Sequence, residues 1–440
     1  MDGSKPVTVG KVQATTLKDP GIKGKLWVAT EKIMAPKPTE EGIREAVFTA
    51  IEELRPEKAG ELSYTKPNLV DIEVEWTGDR PNAGKDDPLL TMSEEDKYRS
   101  LMAEPSRTSE TTVLYFHGGA YYLCDPSTHR IPCSRIAKET GGRVCSVRYR
   151  LAPQTAFPGQ LLDALMVYLS LLYPPPGSMH EAVSEKHIVL AGDSAGGNLS
   201  FALLQLLLQL HRTDAYRSLR FHGKEVEVPL PAGVVANSGW FDITRSMPSL
   251  LKNAAFDYLP PPKEDDDYLT RMPKDSIWPA DPPRGDLFCD LTLSDHTLVS
   301  PLAATSWEGS PPLWLCTGQE LLRDEDAIVA SRAASQGVKV IYEEYEAMPH
   351  CFGMLLPFLP TAERCIKSCS NFCKRCVEEP GTVATSGTYV YAKSGKEVAL
   401  NVVEASTMDF DEVRRSMSAT KDNQLATFAK SNNAIAKSTL

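Results

Sequence analysis

Six short apolar runs, at residues 111–116, 143–149, 187–191, 231–237, 312–316 and 338–345, are rich in Val, Ile, Leu and Tyr, and several are unbroken by polar residues. A strand without alternation has both faces covered, as in a parallel sheet whose crossover helices pack on either side. Longer apolar stretches at 159–172, 197–212, 323–336 and 358–377 fall between or after these runs and read as the covering helices. The expected fold is therefore α/β, with a mostly parallel central sheet flanked by helices. The segment Asp71 to Trp76 does alternate, and an antiparallel edge strand is expected there.

Polar residues just past these strands carry the chemistry. Gly192-Asp193-Ser194-Ala195-Gly196 lies between the strand-like His187 to Ala191 and the apolar stretch Gly197 to Leu210, which is G-x-S-x-G in a strand-to-helix context. A serine hydroxyl becomes a useful nucleophile only when held exposed beside a base, and flanking glycines permit the sharp turn that does so. His117-Gly118-Gly119-Ala120 follows the run ending at Phe116, so the N–H groups of Gly118 and Gly119, with that of Ala195, are candidates for an oxyanion hole. His350, in Met348-Pro349-His350-Cys351-Phe352-Gly353 beyond the last β run, is the candidate general base. Chain order in such a site puts an acid between serine and histidine, and the segment 317–326 offers four carboxylates. Glu320 is nearest the strand end and is the expected acid, with Asp324 the alternative. Asp324, Glu325 and Asp326 also suit the first turn of the next helix, where negative charge opposes the macrodipole.

These motifs occur in order with Tyr149-Arg150-Leu151-Ala152-Pro153, Phe157-Pro158, Asp163, Ser300-Pro301-Leu302 and Pro349-His350-x-Phe352. Over about residues 69 to 376 the chain resembles the hormone-sensitive-lipase-like esterases, a family of the α/β-hydrolase fold. The resemblance implies a serine carboxylesterase with a helical cap, no metal and no organic cofactor. The family's acidic motif usually reads D-P-L-x-D-E, and Glu320 here falls at its catalytic aspartate. Cys124 stands where the family commonly has glycine, and Cys351 directly follows the histidine; together with Ala120 they are expected to line the substrate pocket. The implied reaction has Ser194 attack a small or medium hydrophobic ester to form an acyl-enzyme, with His350 as base and Glu320 steadying the imidazolium. The sequence leaves the second nucleophile open, so an acyltransferase is the alternative. A non-catalytic small-molecule receptor on this fold is disfavoured by the presence of His350.

A chain of 440 residues exceeds one ordinary core, and additions to the catalytic domain are expected. Residues 1–68 are assigned to an N-terminal cap or extension, because Thr39 to Leu54 carries Ile43, Ala46, Val47, Ala50, Ile51 and Leu54 at helical spacing outside the α/β alternation. Residues 69–382 form the hydrolase domain with a cap insertion at about 241–298; its Glu264-Asp265-Asp266-Asp267 run reads as a solvated loop. Residues 383–440 are assigned to a hairpin around Lys393-Ser394-Gly395-Lys396 and a mobile tail. Cys365, Cys369, Cys373 and Cys376 share one helix face, an arrangement suited to packing on the sheet and not to tetrahedral metal ligation. A net charge of −11 disfavours nucleic acid and anionic lipid as partners. The N-terminal residues lack a signal-type apolar core, and no apolar stretch is long enough to span a bilayer. A cytoplasmic enzyme is expected, with a small-molecule ester as partner, no integral membrane contact, and homodimerisation left open.

Overall fold

The structure of the protein, a computed structural model, describes residues 7–56, 60–213, 216–262 and 272–438. Its central sheet has ten strands: β1 (Leu26–Ile33), β2 (Ile72–Asp79), β3 (Thr112–Phe116), β4 (Arg143–Val147), β5 (Ile188–Asp193), β8 (Gly233–Asn237), β9 (Leu313–Gly318), β10 (Val340–Tyr345), β11 (Ser386–Val390) and β12 (Glu397–Leu400), while β6 (Ser218–Phe221) and β7 (Lys224–Glu227) pair separately. The order is β1-β2-β4-β3-β5-β8-β9-β10-β11-β12. Every pairing from β4 to β11 is parallel; β1, β2 and β12 join antiparallel at the two ends.

The helices are α1 (Val9–Thr16), α2 (Ile43–Glu53), α3 (Glu94–Ala103), α4 (Pro126–Thr140), α5 (Gly159–Leu172), α6 (Ala195–Arg212), α7 (Ser249–Lys252), α8 (Arg323–Ser335), α9 (Phe352–Leu355), α10 (Pro360–Glu378) and α11 (Phe410–Ser438). Two hydrophobic clusters divide the sheet by strand parity. Leu114, Phe116, Val147 and Leu190 join the cluster that holds α2, α5 and α6, whereas Val113, Tyr115, Val144 and Val189 pack with α4 and α10. The four cysteines of α10 are buried on the second face, with Cys365 Sγ 3.4 Å from Cys316 Sγ.

The connection from β3 leads outward to β4, and that from β5 leads the other way to β8. The chain therefore reverses direction between β3 and β5, and loops leaving their carboxyl ends part to open a crevice. In-register pairs Phe116↔Gly192, Asp193↔Asn237 and Asn237↔Cys316 bring the ends of β3, β5, β8 and β9 to one level.

Two assignments differ from the sequence reading. β1 belongs to the central sheet and β2 lies inside it, between β1 and β4, so residues 1–68 are not a separate cap. The apolar face of α2 is sealed in the main core, where Ile43, Ala46, Val47 and Ile51 have no exposed surface. The supposed mobile tail is α11, whose inward stripe runs Val413, Met417, Lys421, Gln424 and Phe428 at helical spacing. Val413 and Met417 are buried, Lys421 pairs with Asp295 at 2.8 Å, and Gln424 Nε2 donates to the Thr244 carbonyl at 2.9 Å. Phe428 packs on the cluster of Val9, Trp278 and Leu287. A stripe with so few apolar residues reads as polar tail until its partners in the insertion are known. α1, the insertion and α11 thus pack on one another, while Val413 and Met417 of α11 also join the main core. The acidic run 264–267 lies outside the described residues.

Candidate active site

Ser194 follows β5 directly and precedes α6, with φ 51° and ψ −121°. A non-glycine residue in that region is strained and stays there only when its surroundings over-determine it. Here its N–H donates to the Asn237 carbonyl at 3.0 Å, and its own carbonyl accepts from Asn198 at 3.0 Å and Trp240 at 3.1 Å. The turn also needs glycine at 196, because a Cβ there would fall inside the Phe116 carbonyl.

Asp193, beneath the elbow, is buried and accepts from Tyr115 Oη at 2.7 Å and the Gly118 N–H at 3.1 Å, with His129 Nε2 at 3.3 Å. Burial would raise its pKa, but the adjacent His129 and these hydrogen bonds hold it below the usual carboxylate value. Asp193 therefore fastens the 117–120 turn to the elbow. This corrects one assignment: the Gly118 N–H is committed to Asp193 and is not an oxyanion donor, and a Cβ at 118 would overlap that carboxylate. The amides of Gly119, Ala120 and Ala195 have no acceptor among the described residues. Ala195 opens α6, where the first amides have no partner within the helix. His117 is structural. Its ring stacks on Tyr149 at 4.2 Å, its Nδ1 lies 2.7 Å from the Gly118 carbonyl, and burial drives its pKa down to about 3.

His350, 3% exposed, is hydrogen-bonded through Nδ1 to Glu320 Oε2. The other oxygen, Glu320 Oε1, accepts from Ser238 Oγ at 2.5 Å, the Gly318 N–H at 3.0 Å and Thr317 Oγ1 at 3.1 Å. Burial would neutralise both partners, yet each favours the charge of the other: the carboxyl of Glu320 is held low by His350 and by its donors, and the imidazole of His350 is raised by Glu320. Asp324 takes no part in this pair. Its Oδ2 accepts from the Ser249 N–H at 2.9 Å and its Oδ1 meets Arg323 at 3.1 Å. Glu325 and Asp326 do open α8 but are fully buried, accepting from the backbone of Asp242 at 2.5 Å and Gly239 at 3.1 Å. Burial and neighbouring acids push both carboxyls well up.

Ser238, absent from the sequence reading, joins the parts. It has φ 53°, donates through Oγ to Glu320, accepts the Cys351 N–H at 3.0 Å, and donates its own N–H to the Cys316 carbonyl at 2.7 Å. Its neighbours Asn237 and Trp240 hold the backbone of Ser194, so a single turn after β8 ties together the serine, acid and histidine segments. The only hint in sequence was a polar and glycine cluster, Asn237-Ser238-Gly239, at the end of a β run.

The expected pocket residues divide. Ala120 and Cys124 are half-buried at and just after the 117–120 turn, and the Cys124 N–H donates to Thr16 Oγ1 of α1 at 3.1 Å. Cys351 does not line the pocket: it is 4% exposed and turns its sulfur beneath the elbow, 3.9 Å from Asp193 Oδ2. Tyr258, from the insertion, sets its ring 6.1 Å from that of His350. Among the described residues there is no group of three or more His, Cys, Asp or Glu placed to hold a metal ion, and no helix long and apolar enough to cross a membrane.

This arrangement of sheet, elbow and paired loops defines an α/β hydrolase, and a family model described as alpha/beta hydrolase fold matches residues 113–354. An acetyl-hydrolase of Streptomyces hygroscopicus is 31% identical over 278 residues, covering 62% of this chain and 79% of its own length. An esterase of Acinetobacter venetianus is 28% identical over 274 residues, covering 62% and 77%. A solved esterase of the bacterial hormone-sensitive lipase family aligns with a TM-score of 0.50 at 25% identity, over 76% of this chain and 95% of that one. The chain belongs to the α/β-hydrolase fold family, in its hormone-sensitive-lipase-like esterase group.

Proposed function

We propose that this hydrolase cleaves small or medium hydrophobic carboxylic esters through an acyl-enzyme formed on Ser194. The observation that carries the reading is the buried Glu320–His350 pair, anchored through Ser238 to the same turn that holds the backbone of Ser194. With Nδ1 committed to Glu320, the base available toward the serine is Nε2. It takes the Ser194 proton as Oγ attacks the ester carbonyl, and Glu320 stabilises the imidazolium that results. The uncommitted amides of Gly119, Ala120 and Ala195 are the donors for the oxyanion. The imidazolium then protonates the leaving alcohol, and water repeats the cycle to release the acid. Half-buried Ala120 and Cys124 beside the uncommitted amides, and the Tyr258 ring beside His350, are the side chains that would meet the acyl group.

Labelling with a fluorophosphonate tests this directly: intact mass and peptide mapping should find one adduct, on Ser194, and Ser194→Ala should lose both the adduct and turnover of p-nitrophenyl esters. Undiminished labelling of Ser194→Ala would overturn the assignment. A series of p-nitrophenyl esters of increasing acyl length then ranks the substrates.

A further inference from the structure

One segment of the insertion, residues 249–259, grips the catalytic loops with three polar side chains spaced four residues apart. Ser249 Oγ donates to the Leu321 carbonyl at 2.6 Å, and Asn253 Nδ2 donates to the Glu320 carbonyl at 2.9 Å. Asp257 Oδ2 accepts the Leu321 N–H at 2.9 Å. Three consecutive backbone groups beside the acid are thus all satisfied by the insertion. The second oxygen, Asp257 Oδ1, accepts the N–H of His350 at 3.3 Å, together with those of Tyr258 at 2.8 Å and Leu259 at 3.3 Å. A single half-buried carboxylate therefore bonds to the peptide of the base, to the peptide next to the acid, and to its own turn.

We propose that Asp257 is a positioning residue which, with Ser249 and Asn253, clasps the acid and base loops and fixes the separation of Glu320 from His350. The inference rests on the roles given to Ser194, Glu320 and His350 above. Its physical basis is that an ion pair between two loops is only as well aligned as the backbones that carry it. A displacement of about 1 Å in such a constellation costs on the order of 10² in rate. Ordinary loop packing would not direct three side chains of one short segment to adjacent peptide groups, nor have the last of them continue to the histidine.

A second consequence is electrostatic. The groups acting on His350 are Glu320 at Nδ1, Asp257 at its amide, Asp193 beneath the elbow, and the Tyr258 ring beside the imidazole. Glu320, Asp257 and Asp193 favour the imidazolium, against burial. Removing the charge of Asp257 should accordingly let His350 stay neutral to lower pH.

The test compares the full chain with Asp257→Ala, Asp257→Asn and Asn253→Ala, measuring kcat and KM for p-nitrophenyl butyrate along the acid limb, thermal melting, and the NMR titration of His350. Asp257→Ala is expected to lower kcat by about 10²-fold with little change in KM and to move the acid limb to lower pH. Asp257→Asn keeps one acceptor and should recover part of kcat, while the limb stays at the lower pH because the charge is absent. Asn253→Ala should lower kcat without moving the limb. Wild-type kcat and an unmoved limb in both Asp257 variants would overturn the proposal, as would a kcat loss matched by a loss of folded protein with the His350 titration unchanged. Failure of wild-type Ser194 to react with a fluorophosphonate would instead count against the serine mechanism, and the His350 titration reads the clasp independently of it.

Discussion

Replacing Glu320 by glutamine changes the shape of the site least and its chemistry most. The carboxylate is used on both sides, with Oε2 toward His350 Nδ1 and Oε1 accepting from Ser238, Gly318 and Thr317. A glutamine has one acceptor oxygen and one amide donor, so it can satisfy only one of the two sides. The side with three donors holds the carbonyl oxygen, because turning the NH₂ toward them would leave buried donors unpaired at about 1–3 kcal/mol each. The NH₂ then points at Nδ1, which must become the acceptor, and the proton of the neutral ring moves to Nε2. That tautomer cannot take the serine proton, and the charge that stabilised the imidazolium is gone as well. Together these should lower kcat by about 10⁴-fold, equivalent to about 5 kcal/mol of transition-state stabilisation. Steady-state turnover of p-nitrophenyl butyrate, with thermal melts to verify folding, measures the loss. Asp324→Asn, which among the described residues bonds through its side chain to Ser249 and Arg323, is the matched control and should retain near-normal turnover. A Glu320→Gln enzyme with kcat within tenfold of the original would refute the tautomer argument.

Because Glu320 raises the pKa of His350 and the base must be neutral to work, kcat/KM should fall as pH drops through a midpoint above the ordinary imidazole value of about 6.5; a pH profile with a lower midpoint would contradict this. Ser238→Ala leaves Glu320 Oε1 short of one donor and the Cys351 N–H without its acceptor, and should cost about 1.5–3 kcal/mol in stability by denaturant titration while also lowering kcat. Removing α11 uncovers Val9 and Trp278 and takes Val413 and Met417 out of the main core but removes no strand, so the truncated protein should melt at a lower temperature yet still hydrolyse a short activated ester, with an altered ranking in the acyl-length series. Deleting residues 1 to about 50 should abolish folding as judged by circular dichroism, since it removes a sheet strand and most of a core helix.

The parallel strands and the elbow were legible because each is a local pattern: an unbroken apolar run, or glycines around a serine at the junction of two periodicities. The Glu320–His350 pair was legible because chain order and strand ends locate it. β1 was hidden by Glu31, a charged residue in a strand that carries it inside the protein. Its carboxylate is satisfied by Trp76 Nε1 at 2.7 Å, His180 Nδ1 at 2.9 Å and the Met179 N–H at 2.7 Å, partners far away in sequence. Ser238, Asp193 and Asp257 escaped notice for the same reason. Each acts through neighbours supplied by the register of other strands and loops, so that even Asp193, inside the elbow motif, showed nothing of its bonds to Tyr115 and Gly118. The commitment of the Gly118 amide to Asp193 likewise depends on how two separate turns meet.

The packing of α11 on Val9, Trp278 and the insertion joins segments far apart in the chain, whereas Ser194, Glu320 and His350 all precede residue 351. During synthesis Ser194, Glu320 and His350 therefore emerge well before the helix that packs on α1 and the insertion. A ribosome paused before α11 would hold a chain that already carries all three, so under the mechanism proposed above a small fluorophosphonate should react with the nascent protein before α11 has been made.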